Sequence, residues 1–317
     1  LIMNDSYKNL QNLGICILAL AALAFVAYFV APVVKPVEES FLDVSAQAMG
    51  IRFLFMGLGA LAVLGVCYFT REHSAWEISA QKIVYMAIGA LMYGVFAWMF
   101  NGATFNIPAL SQVSLRPAVV LPVFFGFTFG PAVGFMVGAG GNLVGDLFVG
   151  YVSPHWTLAN GMIGLFAGLA MLFEDKKQSW NVGAVIAGVG GIAAAAFFFA
   201  NPNPEFNPPP DFIRTRLSLF MGLSALVGCG LALAVRFAFP NRPNWGEAAV
   251  WGAAGNVIGL ALASVADIWV NGYTLSDTIV GQFIPTVGPN TIAVAILVPL
   301  LLAVYASVQQ AEAQAES

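Results

Sequence analysis

Runs of about twenty apolar residues recur along this chain, and a helix that crosses a bilayer needs about that many. They fall at 13–34, 51–70, 81–100, 157–174, 181–200, 216–239, 246–270 and 286–308. A further apolar stretch, 115–151, carries Gly130-Pro131 near its middle. Proline starts a helix readily but does not continue a preceding one cleanly. The stretch is therefore expected to divide into helices near 115–129 and 131–151. The expected fold class is all-α: a polytopic transmembrane helical bundle of about ten helices.

Composition agrees with that reading. Of the 317 residues, 59% are hydrophobic and only 9% are charged, whereas a soluble domain carries about 25% charge. So few charges cannot cover a water-facing surface, and most of the surface is expected to face lipid. The net charge of −4 supplies neither a basic patch for nucleic acid nor a polybasic membrane tether. Cys16, Cys67 and Cys229 each lie inside an apolar run, far apart in sequence. They read as small buried or lipid-facing residues rather than as disulfides or metal ligands. His73 and His155 are the only histidines, and no metal or cofactor is expected. The first apolar run is too long for a signal-peptide core and reads as a retained helix. The sequence has no H-E-x-x-H, no G-x-S-x-G and no G-x-x-x-x-G-K-[ST], so neither an enzyme nor a nucleotide-binding domain is expected.

Lysine and arginine in the connections set the expected orientation. With a cytoplasmic N-terminus and ten spans, the cytoplasmic side holds Lys8, Arg71, Lys82, Lys176, Lys177, Arg236 and Arg242. The outer side then holds Lys35, Arg52, Arg116, Arg214 and Arg216. Both termini are expected to be cytoplasmic, in a multi-pass protein of the cell membrane. The long connections 101–115, 201–215 and 271–285 all fall on the outer side, as a capture surface requires. The second of these is rich in proline, which favours extended chain.

The glycines cluster. Gly134, Gly138, Gly141 and Gly145 recur at three- and four-residue spacing, which suits close helix packing in a bilayer. Asn142 and Asp146 lie one turn apart on the same stretch. An aspartate inside a span is costly to insert and faces protein or a water-filled cavity, unless it sits at the helix end and meets solvent. The next segment holds His155, Trp156, Thr157 and Asn160. Thr157 is a candidate helix cap. Trp156 reads either as an interfacial anchor or as a stacking surface. Asn160 reads either as an interhelical donor or as a ligand contact.

The run from Leu115-Arg116-Pro117 to Phe129-Gly130-Pro131, the glycine-ladder helix ending in Gly145-Asp146, then Trp156 and Asn160-Gly161-Met162-Ile163-Gly164 together resemble the substrate-binding S component of energy-coupling factor (ECF) transporters. The resemblance covers residues 81–175 and extends more loosely over 246–308. It implies an S-component-like core at 79–317, with two extra transmembrane helices at 1–78 that lie outside a usual six-helix core. It implies a subunit that binds a vitamin or similar micronutrient at its outer end. Its partners would be a transmembrane T subunit and two cytoplasmic ATPases on separate chains. Docking in that family uses small residues on the first core helix, which points to Ala87, Ala90, Gly94 and Ala97 as a partner interface.

A faint internal echo adds two residues. Gly138–Gly145 and Gly252–Gly259 both fit Gly-Ala-x-Gly-Asn-x-x-Gly, a pattern that would set the two segments across a site from each other. The candidate substrate-binding set is then Asn142, Asp146, His155, Trp156, Asn160, Asn256 and Asp267, a few polar groups beside aromatics in an apolar setting. The alternative function is a structural or accessory transmembrane subunit of a larger membrane complex.

Overall fold

The computed structural model describes residues 5–34, 45–100, 106–107, 113–114, 116–201 and 219–315. The connections expected to form an outer capture surface at 101–115 and 201–215 lie almost wholly outside those residues. The chain is a helical bundle. In order come α1 (Asp5–Val34), α2 (Ala46–Thr70), α3 (Ala80–Met99), α4 (Val120–Phe129), α5 (Pro131–Val149), α6 (Pro154–Leu169), α7 (Lys176–Ala200), the single turn α8 (Leu219–Gly222), α9 (Ser224–Ala238), α10 (Pro243–Val270) and α11 (Ile284–Ala315). A π-helical segment, Asp277–Phe283, leads into α11. A two-residue ribbon pairs Asn106 with Ser114 and Ile107 with Val113 between α3 and α4.

Among the described residues eight helices are long and apolar enough to cross a membrane; the helical segments Pro117–Phe129 and Ser224–Ala238 are shorter. Large apolar side chains stand outward along the first three helices, among them Leu18, Leu61, Phe69 and Leu91. On helices of this length and composition, such a surface suits lipid rather than water. The protein is a multi-pass membrane protein.

Local chemistry explains the boundaries. Gly130 has φ +112°, a conformation glycine adopts at little cost, and Pro131 opens α5. The stretch 115–151 therefore breaks where the sequence placed the break. Gly150, left-handed at φ +91°, closes α5 by donating its N–H to the Asp146 carbonyl. Ser45, Ser79 and Asp175 cap α2, α3 and α7, each side chain accepting a backbone N–H of the first turn. The start of α6 differs from expectation. Pro154 opens it, so Thr157 lies inside the helix and does not cap it. Asn160 is accordingly in the second turn.

α6 sits at the centre, packed on α5, α10, α4 and α2. Glycines let the neighbours approach its backbone. A methyl group on Gly134 or Gly138 would collide with the Gly164 or Asn160 carbonyl of α6. A methyl on Gly255 or Gly259 would stand 2.6 Å from the Ile163 or Ala159 carbonyl oxygen on another side of the same helix. The two echoing segments thus do not face each other across an open site. α6 lies between them, because both present glycine to it.

Candidate functional site

Six of the seven candidate residues gather at the end of the bundle that carries the 150–153 and 271–276 connections. One cluster centres on Asn142 of α5, only 2% exposed. Its Oδ1 accepts from Asn160 Nδ2 at 3.1 Å and from Arg116 Nη1 at 3.3 Å. Its Nδ2 donates to Asp146 Oδ2 at 3.2 Å and to Thr157 Oγ1 at 3.3 Å. Every hydrogen-bonding position of the amide is thereby used. Asp146 Oδ2 also accepts the Ser153 backbone N–H at 3.0 Å. Asp146 is buried, so it does not simply meet solvent at the helix end. Tyr93 of α3 donates to Asn160 Oδ1 at 2.6 Å. The network therefore joins α3, α5 and α6 where each is otherwise apolar.

A second cluster centres on Asp267 of α10. Its Oδ1 lies 2.9 Å from His155 Nε2 and accepts from Asn271 Nδ2 at 2.8 Å. Its Oδ2 accepts from the Trp156 indole at 3.2 Å. The anchor reading of Trp156 gives way to an inward one, because the indole N–H is bound to a buried carboxylate. The two clusters meet along α6, where Asn160 Nδ2 also donates to the Trp156 carbonyl at 2.9 Å. Asn256 does not join them. It lies eleven residues from Asp267 on the same helix, about 16 Å along the axis, and donates to the Gly252 carbonyl within its own helix.

Several members carried little signal in the sequence. Tyr93, Ser153, Thr157 and Asn271 are ordinary residue types in a membrane chain, and only the packing of α3, α5, α6 and α10 gives them roles. Arg52 is different. The loop count placed it among the cations of the outer side, but it lies inside α2 and is only 1% exposed. An arginine in an apolar run was the available clue. The end of α2 that carries it is seated on α6 and α10, with the Phe55 and Trp269 rings 5.5 Å apart. Burial pushes the phenols of Tyr151 and Tyr273 up to about 12, and the Arg52 charge partly offsets the rise in both. Both phenols therefore stay neutral at physiological pH, beside the two acidic clusters.

The stripe on α3 is used largely within the chain. A methyl on Gly94 would stand 2.6 Å from Val144 of α5, and one on Gly145 would stand 3.5 Å from Ala97. Ala90 approaches Gly140 and Gly141, while Ala87 is exposed. Close packing of α3 on α5 accounts for three of the four residues. At the opposite end of the bundle a further buried acid, Glu247, accepts from Ser179 Oγ. Trp251 donates to that same Ser179 at 3.0 Å, and the largely exposed Lys176 lies 3.5 Å from Glu247.

Residues 77–200 match the family described as ECF-type riboflavin transporter, S component. Similar proteins include a UPF0397 protein of Aliivibrio salmonicida, 33% identical over 125 residues, which are 37% of this chain and 66% of that protein. A UPF0397 protein of Vibrio atlanticus is 39% identical over 104 residues, 32% of this chain and 55% of its own length. One from Aliivibrio fischeri is 39% identical over 102 residues, 32% of this chain and 54% of its own. The chain thus spans between about half and two thirds of the curated relatives it matches. No solved structure matches it. The matched segment contains α3 to α7, and with them Asn142, Asp146, His155, Trp156 and Asn160. Through residues 77–200 the chain belongs to the S-component family of ECF transporters.

Proposed function

We propose that this chain is the substrate-binding membrane subunit of an ECF-type importer of a vitamin or similar micronutrient. The ligand is held beside Asn142, Asp146, His155, Trp156, Asn160 and Asp267. One observation carries the reading: two joined clusters of buried polar side chains at one end of an apolar bundle, five of the six residues inside the family-matched segment. Burying that many polar groups is costly unless they are paired, and a transport subunit needs a few such groups in an apolar cavity. Asn256, three turns away, is left out of the set.

In this reading residues 79–317 form the S-component-like core and 1–78 are an addition to it. The site opens to the cell exterior and both termini are cytoplasmic. A transmembrane T subunit and two ATPases on separate chains supply energy, and Ala87 marks the part of α3 left exposed for a partner. Purification in mild detergent with mass spectrometry of partners and bound small molecules tests it. A T-like protein, two ATPases and a vitamin-sized ligand are expected. Recovery in an ATPase-free assembly with no ligand would support an accessory subunit instead. Riboflavin is the first ligand to titrate, and unchanged binding after replacing Asp146 and Asn160 together would sink the site.

A further inference from the structure

Most of the polar atoms in the two clusters are matched to one another, but one ring nitrogen is not. His155 is 3% exposed, and its Nδ1 is buried without a partner among the described residues. Its Nε2 faces Asp267 Oδ1 at 2.9 Å. Two other donors converge on that carboxylate, the Trp156 indole on Oδ2 and the Asn271 amide on Oδ1. Asp267 is therefore the acceptor, and Nε2 must carry the proton it receives. A second proton on Nδ1 would be a buried donor with nothing to donate to, which is costly. The neutral ring with a bare Nδ1 is the form that fits. A carboxylate that fixes one nitrogen of a histidine leaves the other ready for a second partner.

The same carboxylate orients Trp156. The two rings have centroids 6.1 Å apart and planes tilted by 59°. The indole, packed against the buried apolar cluster of Ala159 and Ile163, thus stands beside a bare acceptor, and one aspartate sets both. That aspartate belongs to α10, outside the family-matched 77–200, whereas both rings lie within it.

We infer that Asp267 is a positioning residue which holds His155 with Nδ1 as the acceptor of the candidate site, and that the ligand presents an N–H or O–H to that nitrogen. The inference rests on the proposed transport reading for the ligand and on the structure alone for the histidine.

The chain has only two histidines, so a His73→Asn background leaves His155 as a single reporter. Asparagine keeps a side-chain acceptor where His73 now accepts the Ala75 N–H. Nitrogen NMR of ring-labelled histidine in nanodiscs then reads which nitrogen is protonated. The expected result is a neutral ring with its proton on Nε2. In Asp267→Asn the amide can turn its NH2 toward Nε2, and a sizeable fraction of the proton should move to Nδ1. Riboflavin, followed by its own fluorescence, serves as the probe. Its addition should shift the Nδ1 signal, and both Asp267→Asn and His155→Phe should weaken binding about tenfold, one lost hydrogen bond. A proton already on Nδ1 without ligand overturns the inference, as does riboflavin held by His155→Phe as tightly as by the unmodified protein. No riboflavin binding at all, with the proton on Nε2, removes the flavin ligand from the proposed function and upholds the assignment of the acceptor.

Discussion

The crossing of α4, α5 and α6 gives a sharp test of how this bundle is held. Gly134 stands where three backbones meet. A Cβ added there would lie 2.5 Å from both the Gly126 Cα and the Gly164 carbonyl carbon, and closer still to the Gly164 oxygen. Ordinary contact begins at 3.4 Å. The neighbours are backbone atoms, so no side chain can rotate away. α5 and α6 would have to separate by roughly 1 Å. Overpacking of this kind costs about 1–3 kcal/mol, and rigid partners on two sides place Gly134→Ala toward the upper end. Alanine is the better helix former by about 1 kcal/mol, which leaves a net loss of about 2 kcal/mol.

Gly57→Ala in α2 is the matched control. Nothing lies within 4 Å of a Cβ at Gly57, so only the helix preference acts, and a gain of up to about 1 kcal/mol is expected. Thermal unfolding in one detergent compares the two. The expected outcome is opposite signs, with Gly134→Ala melting several degrees lower, at about 2–4 °C per kcal/mol. Equal stability of Gly134→Ala and the unmodified protein would refute the close approach of these helices. So would an equal loss in Gly57→Ala, since that would make any added methyl harmful. Ligand binding should fall with Gly134→Ala, because displacing α6 displaces His155 and Asn160.

Tyr93→Phe leaves Asn160 Oδ1 buried without its donor, and a loss of about 1–3 kcal/mol is expected in the same melt; an unchanged midpoint would mean the bond is not made. Asp146→Asn keeps an oxygen to accept from Asn142 and Ser153, whereas Asp146→Leu strands both donors. The first should cost under about 1 kcal/mol and the second about 2 kcal/mol or more, and equal losses would remove the hydrogen bonds from the account. At the opposite end Lys176 is 61% exposed, so its ion pair with Glu247 adds little. Glu247→Gln, which still accepts from Ser179, should therefore melt within a degree or two of the unmodified protein, while Glu247→Leu should melt clearly lower.

The sequence by itself determined the local features. Apolar runs fixed eight spans among the described residues, since a bilayer demands length and composition and little else, whereas the runs at 115–129 and 216–239 gave helical segments shorter than a span, Pro117–Phe129 and Ser224–Ala238. Gly130-Pro131 fixed the break between α4 and α5, since a positive φ followed by a missing N–H ends a helix wherever it is placed. Spacing of four put Asn142 within reach of Asp146 on α5. The tertiary structure alone decided which helix meets which. His155 and Asp267 are 112 residues apart, and no periodicity connects them. The glycine ladder predicted close packing but not its partners: Gly134 and Gly138 meet α6, while Gly141 and Gly145 meet α3. Arg52 counted as a loop cation until the packing of α2 on α6 and α10 enclosed it. Asn142 and Asn256 occupy the same place in one short pattern, yet only Asn142 enters a shared network. Local spacing fixes which face of a helix a residue occupies; the neighbour that covers the face is fixed by how the helices pack, and that packing made these residues a candidate site.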